Sequence, residues 1–276
     1  MSITPYIDPG FQKTVEDHIF GNTLLEVTES PLILGIFGPS GEGKTFQVQT
    51  VCNSLGLNQF LISPGELESE NAGHPGYLLR KQYLEAGDAS PTGNSARGIL
   101  IINDIDTVLG DWGSLVQYTV NRQVVYAQLM ALCDFPLSVA GTTCNRVPII
   151  VTGNDPSILY KPLTRPGRMR LYEWAPDAEQ RAHAVAPLLP QLTGPEVISL
   201  INEFPERPVA FWADVSAALW EAQLAAWVNA QPRAFLIQML RDGDVLQMER
   251  PRSQVSEIRL LAKRLRSSDV SGRSFL

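Results

Sequence analysis

An α/β fold is predicted: a P-loop, parallel-sheet core over residues 31–175 follows a helical segment over 1–30. An all-α subdomain over 176–268 and a tail over 269–276 complete the chain. Three observations predict this. Short apolar runs at 32–37, 58–63, 98–106 and 147–155 alternate with stretches of helical period, as in a sheet with crossover helices. The first run passes directly into a Gly-rich turn and then a helical pattern. From Pro176 on, strand signals fade and the composition turns rich in Ala, Leu and Trp.

The totals exclude several classes. The chain has 276 residues, 44% of them hydrophobic and 18% charged, ordinary for a soluble globular protein. No apolar run approaches the roughly 18 residues of a membrane span. The first residues, MSITPYIDPG, carry neither signal-peptide nor transit features, so a cytoplasmic location is expected. Cys52, Cys133 and Cys144 lack metal-like spacing and read as reduced thiols, with Cys52 and Cys133 in the core. A net charge of −7 argues against wholesale nucleic-acid binding. From Arg250 onward, however, seven basic residues face two acidic ones, either a solvated helix face or a surface for an acidic partner.

The turn after the first run, Gly38-Pro39-Ser40-Gly41-Glu42-Gly43-Lys44-Thr45, fits G-x-x-x-x-G-K-[ST] at every fixed position. A phosphate chain needs several converging N–H donors, and side chains would obstruct them. Gly38, Gly41 and Gly43 let the backbone curl its amides inward, and the helix that starts near Phe46 adds its positive dipole end. Lys44 then reaches the β- and γ-phosphates and the Thr45 hydroxyl ligates Mg2+. The bland alternative, a Gly-rich turn that happens to precede Lys-Thr, leaves the flanking strand and helix unexplained.

Taken in order, Phe11, Val15 and Ile19 mark a short amphipathic helix over 11–20, with His18 off the stripe and exposed. A polar loop over 64–76 follows the second strand, then a helix over 77–86 and a surface connection over 88–98. The 98–106 run ends in acids, where ligands sit in parallel sheets. Asp104 is placed to orient or deprotonate the attacking water; Asn103 can accept from a metal-bound water without the charge of an Asp. A helix over 117–135 places Val120, Val124, Ala127, Met130 and Ala131 in one register, with Tyr118 near its start. After a loop over 136–146, the last strand ends at Asn154, an amide able to sense the γ-phosphate. Arg165 and Arg168 then stand on a Pro-Gly turn as exposed guanidiniums suited to a neighbouring subunit's phosphate.

In the C-terminal part, Asp177 caps a helix and Thr193 with Glu196 has capping-box spacing. Residues 209–229 form a long amphipathic helix whose Trp212, Trp220 and Trp227 serve packing. Ser256 caps a last helix with Ile258, Leu261 and Leu265 on one stripe. This bundle is expected to pack over the nucleotide.

The series GPSGEGKT, IIND, TGND and RPGR, in this order, resembles the AAA+ ATPase module. The words GELESENAG, QYTVNRQVVYAQLM, RVPIIVTGNDPSILYKPLTRPGRM and FPERPVAFWADV are more particular and resemble Rubisco activases. The resemblance implies ATP/ADP and Mg2+ as cofactors, Asn103-Asp104 as the Walker B end, Asn154 as sensor 1, and Arg165 and Arg168 as arginine fingers. It places pore-loop residues at Glu70, Asn71 and His74, with Tyr118 near a second pore loop. It also implies a homo-oligomeric, hexameric ring that engages the large subunit of Rubisco and releases inhibitory sugar phosphates. Ser216 and Ala218 stand where activases carry a pair of arginines, so the sensor-2 contact is expected to be missing. Beside an ATP-driven Rubisco remodeller, the sequence is therefore compatible with a slowly hydrolysing ATP-binding regulator or scaffold of Rubisco. A nucleic-acid-loading AAA+ protein is disfavoured by charge.

Overall fold

The computed structural model describes residues 5–25, 29–67, 73–88, 97–109 and 116–271. Ile7–Ala175 forms one compact unit, and the chain from Pro176 onward belongs to a second.

The first unit begins with α1 (Pro9–Thr23), capped by Asp8, whose carboxylate accepts from the N–H groups of Gly10 and Phe11. There follow β1 (Ile33–Phe37), α2 (Lys44–Ser54), β2 (Asn58–Ile62), the one-turn α3 (Pro64–Leu67) and α4 (His74–Asp88). Next come β3 (Gly98–Ile102), the short α5 (Ile105–Leu109) and α6 (Val116–Asp134). A two-stranded hairpin, β4 (Ser138–Val139) and β5 (Thr142–Thr143), precedes β6 (Ile149–Gly153), a 3-10 turn at Pro156–Ile158 and β7 (Met169–Glu173). The main sheet is parallel throughout, in the order β2-β3-β6-β1-β7.

Side-chain parity along the central strands builds two apolar layers. Ile33, Phe37, Leu100, Ile102, Ile149 and Val151 face the layer that contains α4 and α6. Leu34, Ile36, Ile99, Ile101 and Ile150 face the opposite layer with Phe11, Val15, Val48 and Val51 of α1 and α2. Burying each such side chain stabilises the fold by roughly 1.5–3 kcal/mol. The same parity carries Thr152 onto the α2 face at zero exposure, beside Ile36 of β1.

Several expectations need correction. His18, expected at the surface, is buried; its Nε2 lies 3.1 Å from the Ile149 carbonyl and Asn22 donates to its main-chain oxygen. The buried face of α1 is wider than its apolar stripe and takes in the polar Thr14, His18, Asn22 and Thr23. The 98–106 strand stops at Ile102, and Asp106 lies in a helix. On α6 the buried stripe is Asn121, Val125, Tyr126, Leu129 and Leu132, while Val120, Ala127 and Ala131 are exposed. Adjacent apolar pairs such as Val124-Val125 and Leu129-Met130 offer two registers, and the one burying the bulkier Tyr126, Leu129 and Leu132 prevails. The expected 136–146 loop holds a hairpin whose turn is Ala140-Gly141, both at positive φ, as a two-residue turn of the favoured twist requires. Strand β7 was missed because an edge strand reading Met-Arg-Leu-Tyr-Glu shows no apolar run. The 64–76 loop opens with α3, and His74 starts α4.

The second unit comprises α7 (Ala178–Val185), α8 (Gly194–Glu203), α9 (Val209–Asn229), α10 (Arg233–Asp242) and α11 (Val255–Ser271). Asp177 accepts from Gln180 N–H, and Glu196 accepts from both the N–H and the hydroxyl of Thr193. Its core joins Leu189, Val197, Leu200, Ile201, Phe204, Trp212, Val215 and Ile258. Trp212 is fully buried, whereas Trp220 and Trp227 are only half-buried. Ser256 is not a cap: α11 starts at Val255, Glu257 accepts from Gln254 N–H, and the helix continues into the predicted tail to Ser271. Helix α10 escaped the sequence reading; none of its residues is buried.

Candidate functional site

β1 delivers the chain into the turn that starts at Gly38, where φ is 155° and an added Cβ would lie 1.9 Å from the Trp174 carbonyl oxygen. Only glycine fits there. Trp174 braces the turn from behind: its main-chain N–H donates to Phe37 O at 2.6 Å and its indole Nε1 to Glu42 O at 2.8 Å. Phe11 packs edge-on against its ring. Glu42 is buried in this brace, while Pro39, Ser40 and Phe46 are exposed. Gly43, in the left-handed region at φ 75°, leads into α2 with no side-chain cap. Gln47 N–H makes a first-turn bond, to Gly43 O. By helix geometry the N–H groups of Lys44, Thr45 and Phe46 have no intrahelical acceptor.

Lys44 is buried, and its ammonium donates to Gly38 O (2.8 Å), Pro39 O (2.9 Å) and Asn154 Oδ1 (3.1 Å). Burial lowers its pKa below the ordinary lysine value, against the raising pull of Asp104, Asp106 and Glu42. Those three acids favour the charged form that a phosphate chain would meet.

The ends of β3 and β6 are tied together beyond their last ladder pair, Ile102 with Val151. Asp104 N–H donates to Thr152 Oγ1 (3.1 Å), and Asn154 N–H donates to Asp106 Oδ2 (2.8 Å). Asp104 itself sits at φ 43°, in the region that L side chains seldom occupy. Thr45 Oγ1 lies 3.3 Å from Thr152 Oγ1. One mouth at the carboxyl ends of β1, β3 and β6 thus gathers Lys44, Thr45, Asp104 and Asn154, with Asn103 following β3 directly.

The chemistry of this set suits a magnesium nucleotide. Asn103 Oδ1 is buried and has no hydrogen-bond partner among the described residues, an acceptor in want of a donor such as a metal-bound water. Thr45, Asn103 and Asp104 offer hard oxygen atoms, the kind Mg2+ takes. No cluster of three or more His, Cys, Asp or Glu among the described residues could hold a metal by itself, so a cation here would share phosphate oxygens and water.

Arg165 and Arg168 stand in the turn that precedes β7, and they differ. Arg165 is exposed and forms no ion pair among the described residues. Arg168, expected to be equally exposed, grips Asp134 at the end of α6 through Nη2 (2.7 Å) and Nε (2.9 Å) and donates from Nη1 to Pro162 O (3.0 Å). The predicted pore-loop residues Glu70 and Asn71 lie outside the described residues, as does the side chain of Tyr118 on α6. In the second unit the Ser216 hydroxyl donates to Leu188 O at 2.9 Å.

Sequence reasoning missed Thr152, Asp106 and Trp174. A threonine after three apolar residues in a fully buried strand was the available signal for Thr152. Nothing local marks Trp174, which meets the turn only because β7 pairs with β1.

Residues 34–176 match the ATPase family associated with various cellular activities (AAA). Ribulose bisphosphate carboxylase/oxygenase activase 1, chloroplastic, of Nicotiana tabacum is 40% identical over 233 residues, 81% of this chain and 52% of the relative. The Spinacia oleracea activase is 40% identical over 234 residues, 82% of this chain and 49% of its own length. Activase A of Hordeum vulgare is 36% identical over 265 residues, 92% of this chain and 56% of its own. The chain thus spans about half the length of the curated relatives it matches. Rubisco activase-like in sequence, and matched over more than half its length, the chain belongs to the AAA family of ATPases.

Proposed function

We propose that this protein hydrolyses ATP, with Mg2+, to remodel inhibited Rubisco and free it of tightly bound sugar phosphates. The observation that carries the nucleotide part is the convergence of Lys44, Thr45, Asp104 and Asn154 on one mouth. The client part of the reading is supported by 40% identity to curated activases. Gly38 through Phe46, Pro39 excepted, wrap the phosphates with main-chain N–H groups, and Lys44 exchanges its carbonyl partners for β- and γ-phosphate oxygens. Thr45, with Asn103 and Asp104, would hold Mg2+, which would supply neutralisation of charge on the phosphates. Asp104 orients the attacking water and takes its proton; Asn154, held by Lys44 and Asp106, keeps that water in line. Arg165 lends its guanidinium to the next protomer of a hexameric ring, and Glu70, Asn71, His74 and Tyr118 line the pore that engages the large subunit.

A second reading, a slowly hydrolysing ATP-binding regulator of Rubisco, is favoured by the uncharged Asn103 and by Ser216, whose hydroxyl is spent on Leu188 O. ATP turnover measured with and without inhibited Rubisco separates the two. Hydrolysis that is lost in Lys44→Ala and accompanied by recovery of carboxylation supports the remodeller. Nucleotide binding with neither turnover nor recovery supports the regulator.

A further inference from the structure

The Thr152 hydroxyl is a polar group in a layer built for aliphatic side chains, with zero exposure. No water competes for it, so its hydrogen bonds are set by the protein alone. One lone pair receives Asp104 N–H at 3.1 Å, and on its other side stands Thr45 Oγ1 at 3.3 Å. Between the two hydroxyls there is room for one hydrogen, and either oxygen can supply it. If Thr152 donates, a lone pair of Thr45 is turned inward. If Thr45 donates, both of its lone pairs are left available to a ligand, and Thr152 accepts two hydrogens at once.

We infer that Thr152 is a positioning residue for the magnesium end of the nucleotide and for the hydrolytic carboxylate together. By accepting the Thr45 proton it turns the Thr45 oxygen toward a divalent cation; by accepting Asp104 N–H it holds Asp104 in its left-handed conformation. This inference rests on the nucleotide reading above. It accounts for a hydroxyl at this place: valine has the same shape and the higher strand propensity, and would leave Asp104 N–H without its acceptor. With one lone pair on a cation, Thr45 would keep its other lone pair and its proton, and coordination would make that proton the better donor. A single buried oxygen therefore links cation binding to the backbone of Asp104.

The experiment compares wild type with Thr152→Val, Thr152→Ser and Thr152→Ala in the full chain. It uses a fluorescent ATP analogue titrated with Mg2+ and again with chelator, alongside kcat, KM and the melting temperature without nucleotide. The tightening of binding that Mg2+ brings is expected to shrink roughly tenfold in Thr152→Val, with affinity in chelator within about twofold of wild type. kcat is expected to fall more than KM rises, and Thr152→Ser is expected to restore both quantities. The pair Thr45→Val and Thr152→Val should lose no more Mg2+ dependence than Thr45→Val alone, since both act through one hydrogen bond. Should Thr152→Val fail to fold, Thr152→Ala removes the hydroxyl without the branched methyl and is read in the same way. Equal loss with Mg2+ and chelator, or no rescue by serine, overturns the inference and leaves nucleotide binding intact. Wild-type binding that is unchanged in Lys44→Ala overturns the nucleotide reading itself.

Discussion

Arg165 and Arg168 were expected to act alike, and their surroundings differ: Arg168 is paired with Asp134 and Arg165 is exposed. Replace Arg168 by Ala. Two hydrogen bonds to Asp134 and one to Pro162 O disappear, and with them the clamp between the turn and the end of α6. Exposed ion pairs contribute ~0.2–1 kcal/mol, and charge-assisted bonds ~1.5–3 kcal/mol when shielded. The Arg168 side chain is 24% exposed and Asp134 43%, so solvent screening places the pair near the lower range. About 1–2 kcal/mol is the working figure for Arg168→Ala, the third bond included. In a unit of this size that lowers the melting temperature by roughly 3–6 °C. Asp134→Asn should lose about half as much, and the double variant should show a coupling of ~0.5–1 kcal/mol. Arg165→Ala should leave melting within about 1 °C yet reduce ATP turnover by on the order of a thousand-fold. Scanning calorimetry and an ATPase assay on the four proteins read all of this. If Arg168→Ala and Asp134→Asn melt like wild type while Arg168→Ala loses turnover as completely as Arg165→Ala, the clamp is irrelevant and Arg168 acts at the phosphate.

Three further outcomes follow from burial and backbone geometry. Gly38→Ala forces a Cβ to 1.9 Å from Trp174 O, so a stability loss above about 3 kcal/mol is expected in urea titrations, where strain and the Trp174 bonds are lost together. His18 has its pKa lowered to about 4 from 6.5 by burial first, with Arg170 and Arg146 adding to the fall, against the hydrogen bond to Ile149. The unfolded chain then binds the extra proton between those values. Stability is complete above pH 6.5 and declines toward pH 4 by about 3 kcal/mol, a slope that His18→Gln should remove from denaturation measured at pH 7 and pH 5. Cys52, fully buried with its thiol pushed up to about 12 by that burial, should resist thiol reagents at pH 8 until the protein unfolds, as timed absorbance of the released thiolate would record.

How legible was the fold? The three central strands, β1, β3 and β6, are fully buried runs, which a parallel sheet covered on both faces demands, and each was readable, as was edge strand β2 from its Phe60-Leu61-Ile62. Edge strand β7 has one buried residue in five and carries Arg170 and Glu173, so its partner β1, not its own composition, makes it a strand. Helix α10 buries nothing, so no core stripe announced it. On α6 the period was plain but the phase was not, because neighbouring apolar pairs satisfied two faces and only contact with α4 chose between them. Capping residues were the most local signals and transferred well: Asp177 and the Thr193–Glu196 pair need only three residues of context. Ser256 failed by the same logic, since Glu257, one residue on, reaches back to Gln254 N–H and starts the helix earlier.

The candidate site divides along the same line. Gly38 to Thr45 was readable because a phosphate cradle is built from consecutive residues and leaves a spacing in the chain. What holds that cradle comes from elsewhere: Trp174 from 132 residues beyond Glu42, and Thr152 from 107 beyond Thr45. Such partners are chosen by strand order and by side-chain parity, and a linear motif contains neither. Strand parity does narrow the search, though. β6 alternates Ile149, Ile150 and Val151 between the two faces, so its next residue must point at α2, and a threonine there must find a hydrogen bond or pay for burial. Asp104 N–H and the Thr45 hydroxyl supply the partners. Here one buried hydroxyl, next to the end of β6, joins the Asp104 main chain, just after β3, to the Thr45 side chain in the first turn of α2.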